Sequence, residues 1–351
     1  MSNEIVGLDI GSSSIKVVRL KQTKKITSLK NFAIAPLPSE AIVDGALMNI
    51  SAITDNLSRL LRELKLKSQK VALSISGHSV FVRFIRTTNY KDEELEEHIK
   101  WDAESYIPDI NDVYLDFQKL TNIPDQSGEI EVLLVAAKRN MVDEYDQLAK
   151  TVGLKPVIVD VDAFAIQNAY EFNYPERFRT EVAAIVNIGA AITTINIIDK
   201  GTSKFVRDIP SGGSEITEAI SQHYGLPFEE AENIKVGIYG NHSDLVNSND
   251  LFRIYEDIAS RISGEIIQTI DYFKTTTPGI ELNRIYISGG GSKVNLIQKR
   301  LEEQAGIRVE ELNPFNNINI DPRLFNVDFI RANSALATVA VGLALRKVDD
   351  K

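Results

Sequence analysis

Two short stretches, about half the chain apart, follow one pattern of residue types. Residues 5–18 read Ile-Val-Gly-Leu-Asp-Ile-Gly-Ser-Ser-Ser-Ile-Lys-Val-Val, and residues 185–198 read Ile-Val-Asn-Ile-Gly-Ala-Ala-Ile-Thr-Thr-Ile-Asn-Ile-Ile. Each holds an apolar strand, an acid or amide (Asp9, Asn187), one glycine (Gly11, Gly189), a few small residues and a second β-branched strand. A glycine free to take positive φ, with no bulky side chain at the tip, leaves backbone N–H groups to face an anion such as phosphate. In the first turn Ser12, Ser13 and Ser14 add hydroxyl donors. Asp9, just before the turn, can hold the hydration shell of a magnesium ion, a hard cation that keeps most of its waters. Lys16, in the spacing Asp-x-Gly-x-x-x-x-Lys, has the reach to lie along a β- or γ-phosphate. Each such charge-assisted bond contributes about 1.5–3 kcal/mol, so several are needed for useful affinity. Either stretch alone also fits an ordinary hairpin, with Asp9 as a turn-capping residue. Two at matching positions favour a pair that grips one polyphosphate from opposite sides.

The elements that must position these turns follow from periodicity. After the first hairpin, residues 26–35 read as a third strand, Pro36-Leu37-Pro38 breaks it, an amphipathic helix spans 51–66 and a buried strand 71–75. A strand at 80–86 leads into the acidic run Asp92 to Glu97, which opens a helix carrying Leu95, Ile99 and Tyr106 on one side and ending at Pro108. The acids complement the helix dipole and form a solvated face. Strands at 114–120 and 131–137 flank a polar linker at 122–129, and a helix at 140–152 and a strand at 157–160 follow. Residues 81–157 thus read as a small α+β insertion. The second hairpin, a strand at 205–209 and Ser211-Gly212-Gly213-Ser214 lead to helices at 214–224, 227–238 and 250–275. A strand at 284–288 runs into Gly289-Gly290-Gly291-Ser292 and a helix at 294–304, and a small-residue helix closes the chain at 333–346.

Composition bounds the class. A chain of 351 residues exceeds one ordinary core, which predicts two lobes. A net charge of -10 without a basic block argues against nucleic acid and anionic membrane surfaces as partners. The absence of cysteine excludes disulfides and thiolate metal sites and agrees with a reducing compartment. His78, His98, His223 and His242 lack ligand spacing. No signal segment or membrane-length apolar run is present, which predicts a cytoplasmic protein.

Neither G-x-x-x-x-G-K-[ST] nor a helix-opening G-x-G-x-x-G occurs, so the two common nucleotide folds those signatures mark are disfavoured. The third glycine turn would let a planar base lie against bare backbone. Glu232 and Lys235 share a helix face, as an exposed ion pair also would. In their order along the chain, the Asp9 hairpin, the Asn187 hairpin, Gly212-Gly213, the Glu232/Lys235 helix, the Gly289 to Gly291 turn and the closing helix resemble the actin, sugar-kinase and heat-shock-chaperone ATPase superfamily. That resemblance implies an α/β, actin-like (ribonuclease H-like) two-lobed ATPase fold binding ATP and Mg2+. It implies Asp9 as the metal-side acid, Gly11, Ser12, Ser13, Ser14 and Lys16 as the first phosphate loop, and a second loop from Asn187 to Thr193 that includes Gly189 and Ala190. Gly212 and Gly213 would lie near the nucleotide, Glu232 and Lys235 near ribose and adenine, and Gly289, Gly290, Gly291 and Ser292 against the adenosine.

The insertion falls where the bacterial cell-division homologue FtsA carries its displaced subdomain. The implied division is a first subdomain at 1–80, 158–180 and 330–351, the insert at 81–157, a second actin-like subdomain at 181–213 and 279–329, and a helix-rich one at 214–278. Three phrases, Ile-Lys-Trp-Asp-Ala-Glu-Ser-Tyr-Ile-Pro at 99–108, Val-Asp-Val-Asp-Ala-Phe-Ala-Ile-Gln-Asn-Ala-Tyr at 159–170 and Ala-Thr-Val-Ala-Val-Gly-Leu-Ala at 337–344, resemble the PilM family of type IV pilus machines. The resemblance implies a cytoplasmic ATP-binding scaffold. Its partner would be the N-terminal cytoplasmic peptide of a PilN-like inner-membrane protein, held in a groove between the first lobe and the insertion. Other pilus-assembly components and a second copy of the chain are further candidate partners.

The chain departs from the superfamily pattern at Asn187, where active ATPases usually carry Asp, and at Ala190-Ala191, where they carry a richer turn. A neutral amide binds magnesium water less strongly, so nucleotide binding survives this change more readily than hydrolysis. Asp162 is the remaining acid placed to orient an attacking water, and equally fits a helix N-cap. Slow or absent turnover is expected. With Lys347-Val348-Asp349-Asp350-Lys351 in place of an amphipathic tail, membrane attachment is expected only through a partner. A small-molecule kinase of the same fold and a filament-forming cytoskeletal ATPase are the alternatives.

Overall fold

The computed structural model describes residues 4–107, 109–120 and 128–348. Pro108 and residues 122–127 of the expected polar linker lie outside the described residues, as do 349–351 of the tail. The first lobe opens with β1 (Val6–Ile10), β2 (Ser14–Gln22) and β3 (Thr27–Pro36), a small hairpin β4 (Ile42–Val43) and β5 (Ala46–Leu47), helix α1 (Ile50–Glu63) and β6 (Lys70–Ile75). Every residue of β1 is buried, as a central strand with both faces covered requires. It pairs antiparallel with β2 and parallel with β6. Next comes an inserted layer of β7 (Val80–Thr88), α2 (Asp92–Glu104), β8 (Val113–Lys119) and β9 (Glu129–Lys138), a three-stranded sheet in the order β7-β9-β8. It has its own core, where Leu95, Ile99 and Ala103 of α2 meet Ile85, Val113, Ile130, Val132 and Leu134. Helix α3 (Arg139–Thr151) instead sends Met141, Tyr145 and Leu148 into the first lobe's core beside Leu57, Val71 and Leu73. Strand β10 (Lys155–Val161) then pairs with β6 at one edge of the first sheet.

Helices α4 (Asp162–Asn173) and α5 (Pro175–Thr180) lead to the second lobe, with β11 (Val182–Ile188), β12 (Thr193–Asp199) and β13 (Thr202–Ile209). Helices α6 (Ser214–Tyr224), α7 (Phe228–Lys235) and the long α8 (Ser248–Thr276) follow, then β14 (Arg284–Ser288), α9 (Asn295–Ala305) and β15 (Val309–Glu311). A two-residue strand β16 (Ile318–Asn319) returns to the first sheet, and α10 (Val327–Ala332) and α11 (Thr338–Leu345) end the described chain. The sheets run β10-β6-β1-β2-β3-β16 and β13-β12-β11-β14-β15. The repeated sequence pattern is a repeated structure: Ile10 pairs with Ile15 in one turn as Ile188 pairs with Thr193 in the other.

Between the sheets lie α4 and α11. Ala165, Ile166 and Tyr170 of α4 and Val339 and Leu343 of α11 share one buried cluster with Ile5 and Ala72 of the first lobe and Ala183, Ile185, Ile198 and Tyr286 of the second. Small residues permit a crossing so tight that a Cβ on Gly342 would sit 1.7 Å from the Ala165 carbonyl oxygen. The expected terminal helix at 333–346 is split. The Asn333 side chain closes α10 by donating to the Phe329 carbonyl (2.8 Å), and a single 3-10 turn at Ala335–Ala337 precedes α11. Helix α7 also stops three residues earlier than its periodicity predicts, before Gly237 at φ +86°.

Gly342→Ala has no room without separating α4 from α11. Overpacking of this kind costs about 3 kcal/mol or more. Urea unfolding should show that loss, and an unchanged midpoint would refute the helix-crossing account.

Candidate functional site

The two glycine turns face each other across a cleft of about 1410 Å3 between the lobes. Its wall includes Asp9, Gly11, Ser12, Ser13, Ser14 and Lys16 from the first turn and Asn187, Gly189 and Ala190 from the second. Asp162, Gly213, Glu232, Lys235, Gly289, Gly290 and Gly291 complete the set drawn from the sequence. Two expected residues stand back from it. Gly212 packs so closely on the second turn that a Cβ there would lie 2.5 Å from the Ala190 carbonyl oxygen. Ser292 is buried, its hydroxyl donating to the Gly289 carbonyl (2.8 Å).

The turns are built alike. The Gly11 N–H donates to the Ser14 carbonyl (3.1 Å) and the Gly189 N–H to the Ile192 carbonyl (2.9 Å). Among the described residues the N–H groups of Ser12, Ser13, Ala190 and Ala191 make no such bond, and all four residues line the cleft. Unpaired backbone donors converging from two lobes suit a polyphosphate. The role foreseen for glycine differs from the one observed. Neither Gly11 nor Gly189 takes positive φ; Gly189 is needed for a close approach of backbone. A Cβ on Gly189 would fall 2.6 Å from the Ile192 carbonyl oxygen, and one on Gly11 3.0 Å from the Lys16 ammonium. Positive φ occurs instead in the third turn, at Gly289 (+81°), whose backbone rests against the Ile188 carbonyl.

Asp9 and Lys16 are directly opposite in the β1–β2 pair, and their side chains meet at 3.3 Å, each almost buried. Burial pushes the Asp9 carboxyl up to about 6; Lys16 opposes that rise and nearby Asp162 adds to it. The corresponding positions of the second turn are Asn187 and Thr194. Asn187 accepts a hydrogen bond from the Ser288 hydroxyl (3.1 Å), and the Thr194 hydroxyl donates to Asp208 (2.7 Å). Asp162 is the first residue of α4; its carboxylate makes no capping hydrogen bond and lines the cleft, so the N-cap alternative is not what is built.

Lys235 binds inward, to Glu232 (2.6 Å), the Thr217 hydroxyl (2.8 Å) and the Gly213 carbonyl (3.2 Å), which fixes α7 to the start of α6. The sequence reading passed over Lys293, Phe228, Asn233 and Tyr255, and the Asp44–Gly45 tip of the β4–β5 hairpin, all of which line the cleft. Lys293 directly follows the third glycine turn, and that adjacency was a usable signal; partial burial holds its ammonium below the ordinary lysine range. Seven carboxylates (Asp9, Glu40, Asp44, Asp162, Glu218, Glu229, Glu232) face three lysines (Lys16, Lys235, Lys293) on this wall. An anionic ligand therefore needs a cation of its own. Among the described residues no group of three or more His, Asp or Glu forms a ready metal cage, so the donors fit a hydrated ion held by one carboxylate and the ligand.

A family model described as type IV pilus assembly protein PilM matches residues 7–348. The chain belongs to that family. It covers 99% of a solved chain of the PilM-PilN type IV pilus biogenesis complex, with 99% of its own length, 26% identity and a TM-score of 0.87. Cell division protein FtsA of Bacillus subtilis (strain 168) is 22% identical over 286 residues, 72% of this chain and 62% of FtsA. The chain spans about three-fifths of the length of the curated relatives it matches. MreB 5 of Spiroplasma citri, solved bound to AMPPNP, shares the fold at a TM-score of 0.53 and 14% identity, over 96% of this chain and 94% of that one. The fold is actin-like. Among the described residues no helix is long and apolar enough to cross a membrane.

Because folding raises the Asp9 pKa above its value of 3.8 in the open chain, the folded state holds more protons between about pH 4 and 6, and stability falls as pH rises through that window. Relative to Asp9→Asn, the wild type should lose on the order of 3 kcal/mol between pH 4 and pH 7, about two pKa units of linkage. Parallel pH profiles of denaturant unfolding for the two proteins would contradict the buried carboxylate.

Proposed function

We propose that the chain is a cytoplasmic, ATP-binding scaffold of type IV pilus assembly that takes up the N-terminal cytoplasmic peptide of a PilN-like inner-membrane protein. The observation that carries this reading is the full-length similarity to the PilM-PilN complex, joined to the family match. The peptide would lie in a groove between the first lobe and the inserted layer. Any membrane association would then run through that partner. The four-part division set out above is proposed with it, except that α3 packs in the first lobe's core and β16 pairs in the first lobe's sheet.

In the cleft, the free N–H groups at 12–13 and 190–191 would receive the phosphates and Lys16 the terminal one. Bound Mg2+ would supply charge neutralisation to a triphosphate among the seven carboxylates, with Asp9 holding its water shell. Glu232, Lys235, Gly213 and the Gly289 to Gly291 turn would flank the nucleoside, with Gly212 and Ser292 supporting those turns from behind. Asp162 is the residue placed to orient water. Asn187 is neutral and already engaged by Ser288, so the second turn brings no carboxylate to the metal, and turnover should be slow. A small-molecule kinase or a filament-forming ATPase is less favoured, because the full-length likeness is to the pilus scaffold.

ATP with Mg2+ at 100 times its Kd should add about 2.7 kcal/mol of stability and raise the melting temperature. Chelating the metal should abolish most of that rise, and Asp9→Ala or Lys16→Ala should reduce it. The rise should also shrink as pH drops below about 6, where Asp9 takes up its proton and no longer attracts the ion. A rise that survives all three changes would remove the phosphate-loop assignment.

A synthetic PilN-like N-terminal peptide should bind at micromolar strength or better, measured by calorimetry, with phosphate release below about 1 per second. Failure of the nucleotide-loaded protein to bind it would favour the other readings.

A further inference from the structure

A second cavity, of about 210 Å3, lies where β6 leaves the first lobe and β7 enters the inserted layer. Its wall includes His78, Val80, Arg83, Val206 and Asp208, and it shares Asp44 and Ile192 with the large cleft. The turn between β6 and β7 is clamped from two sides. From the first lobe, Asp44 pairs with the His78 ring (2.7 Å) and accepts the His78 N–H (3.4 Å). From the second lobe, Asp208 accepts the Gly77 N–H (2.8 Å). The other carboxylate oxygen of Asp208 accepts the Thr194 hydroxyl, and Thr194 stands where the first turn has Lys16, facing the large cleft.

Strand β13, which carries Asp208, reaches the inserted layer again through Lys204, whose ammonium meets Glu131 of β9 at 2.6 Å. One edge strand of the second lobe therefore holds the second glycine turn at one end of a short bonded path and the root of the insertion at the other. Thr194 and Asp208 are register partners in paired strands, and Gly77 sits at φ +94°, a conformation other residues rarely adopt.

We propose that Asp208 is a positioning residue that couples the two cavities: drawing the lobes together on a nucleoside triphosphate moves β13, and Asp208 passes that movement to the β6–β7 turn and the mouth of the second cavity. The inference rests on nucleotide binding in the large cleft. Coupling of this kind needs two arrangements of one connected element, each favoured by a different occupancy; β13 lines the second cavity and, through the Asp208–Thr194 bond, is joined to a residue that lines the large cleft.

The chain lacks cysteine, so Arg83→Cys, at an exposed position of the second cavity, accepts a single environment-sensitive fluorophore. Saturating ATP with Mg2+ should shift its emission. In Asp208→Ala the shift should fall to about a quarter or less, while calorimetry finds nucleotide affinity within about fivefold of the parent. An undiminished shift in Asp208→Ala overturns the proposal, and so does a silent fluorophore when calorimetry reports bound nucleotide. If calorimetry finds no binding, the nucleotide reading itself falls and takes this inference with it. Should thermal scans show Asp208→Ala unfolded, Thr194→Val, which removes only the hydroxyl bond, carries the same two outcomes.

Discussion

The structure depends on the near-contact of two helices. Helices α4 and α11 are pressed together between the sheets, with Gly342 against the Ala165 backbone, and the shared cluster around Ile166, Tyr170 and Leu343 joins both lobes. Each glycine turn sits at the end of a central strand whose other neighbours are fixed by that cluster. The distance between the two sets of free N–H groups is thus set by core packing rather than by the turns themselves.

Much of this was legible in the chain because the same local problem is solved twice. An apolar strand, a short polar or amide step, a glycine and a β-branched strand recur at 5–18 and 185–198, and both copies fold into the same register. The insertion was legible for another reason: its strands at 114–120 and 131–137 alternate around a polar linker. What periodicity could not carry were pieces too short to show one. The β4–β5 hairpin, α5, β15 and β16 span two to six residues each and form because a partner strand or helix is already there. The hairpin matters most, since Asp44 at its tip borders both cavities.

The glycines show where type alone misleads. A glycine in a turn suggests positive φ, yet neither Gly11 nor Gly189 takes it, and Gly189 is there because the Ile192 carbonyl oxygen occupies the space a Cβ would take. Gly212 likewise belongs to the packing of the second turn. The superfamily resemblance implied a place near the nucleotide without saying that the residue stands behind the turn.

The two turns are alike in backbone and unlike in charge, and that contrast bears on what the cleft can do. The first presents a lysine and a carboxylate that burial has made reluctant to ionise; the second presents an amide and a threonine, both already bonded to other residues of the second lobe. The carbonyls of Gly189 and Ala190 are occupied as well, by the N–H groups of Gly213 (2.9 Å) and Ser214 (2.8 Å) at the start of α6. The second turn is therefore committed to its surroundings, and what it offers a ligand is backbone N–H alone. Such a turn brings no second acid to share a metal. Binding with little chemistry is the behaviour that this division of labour favours.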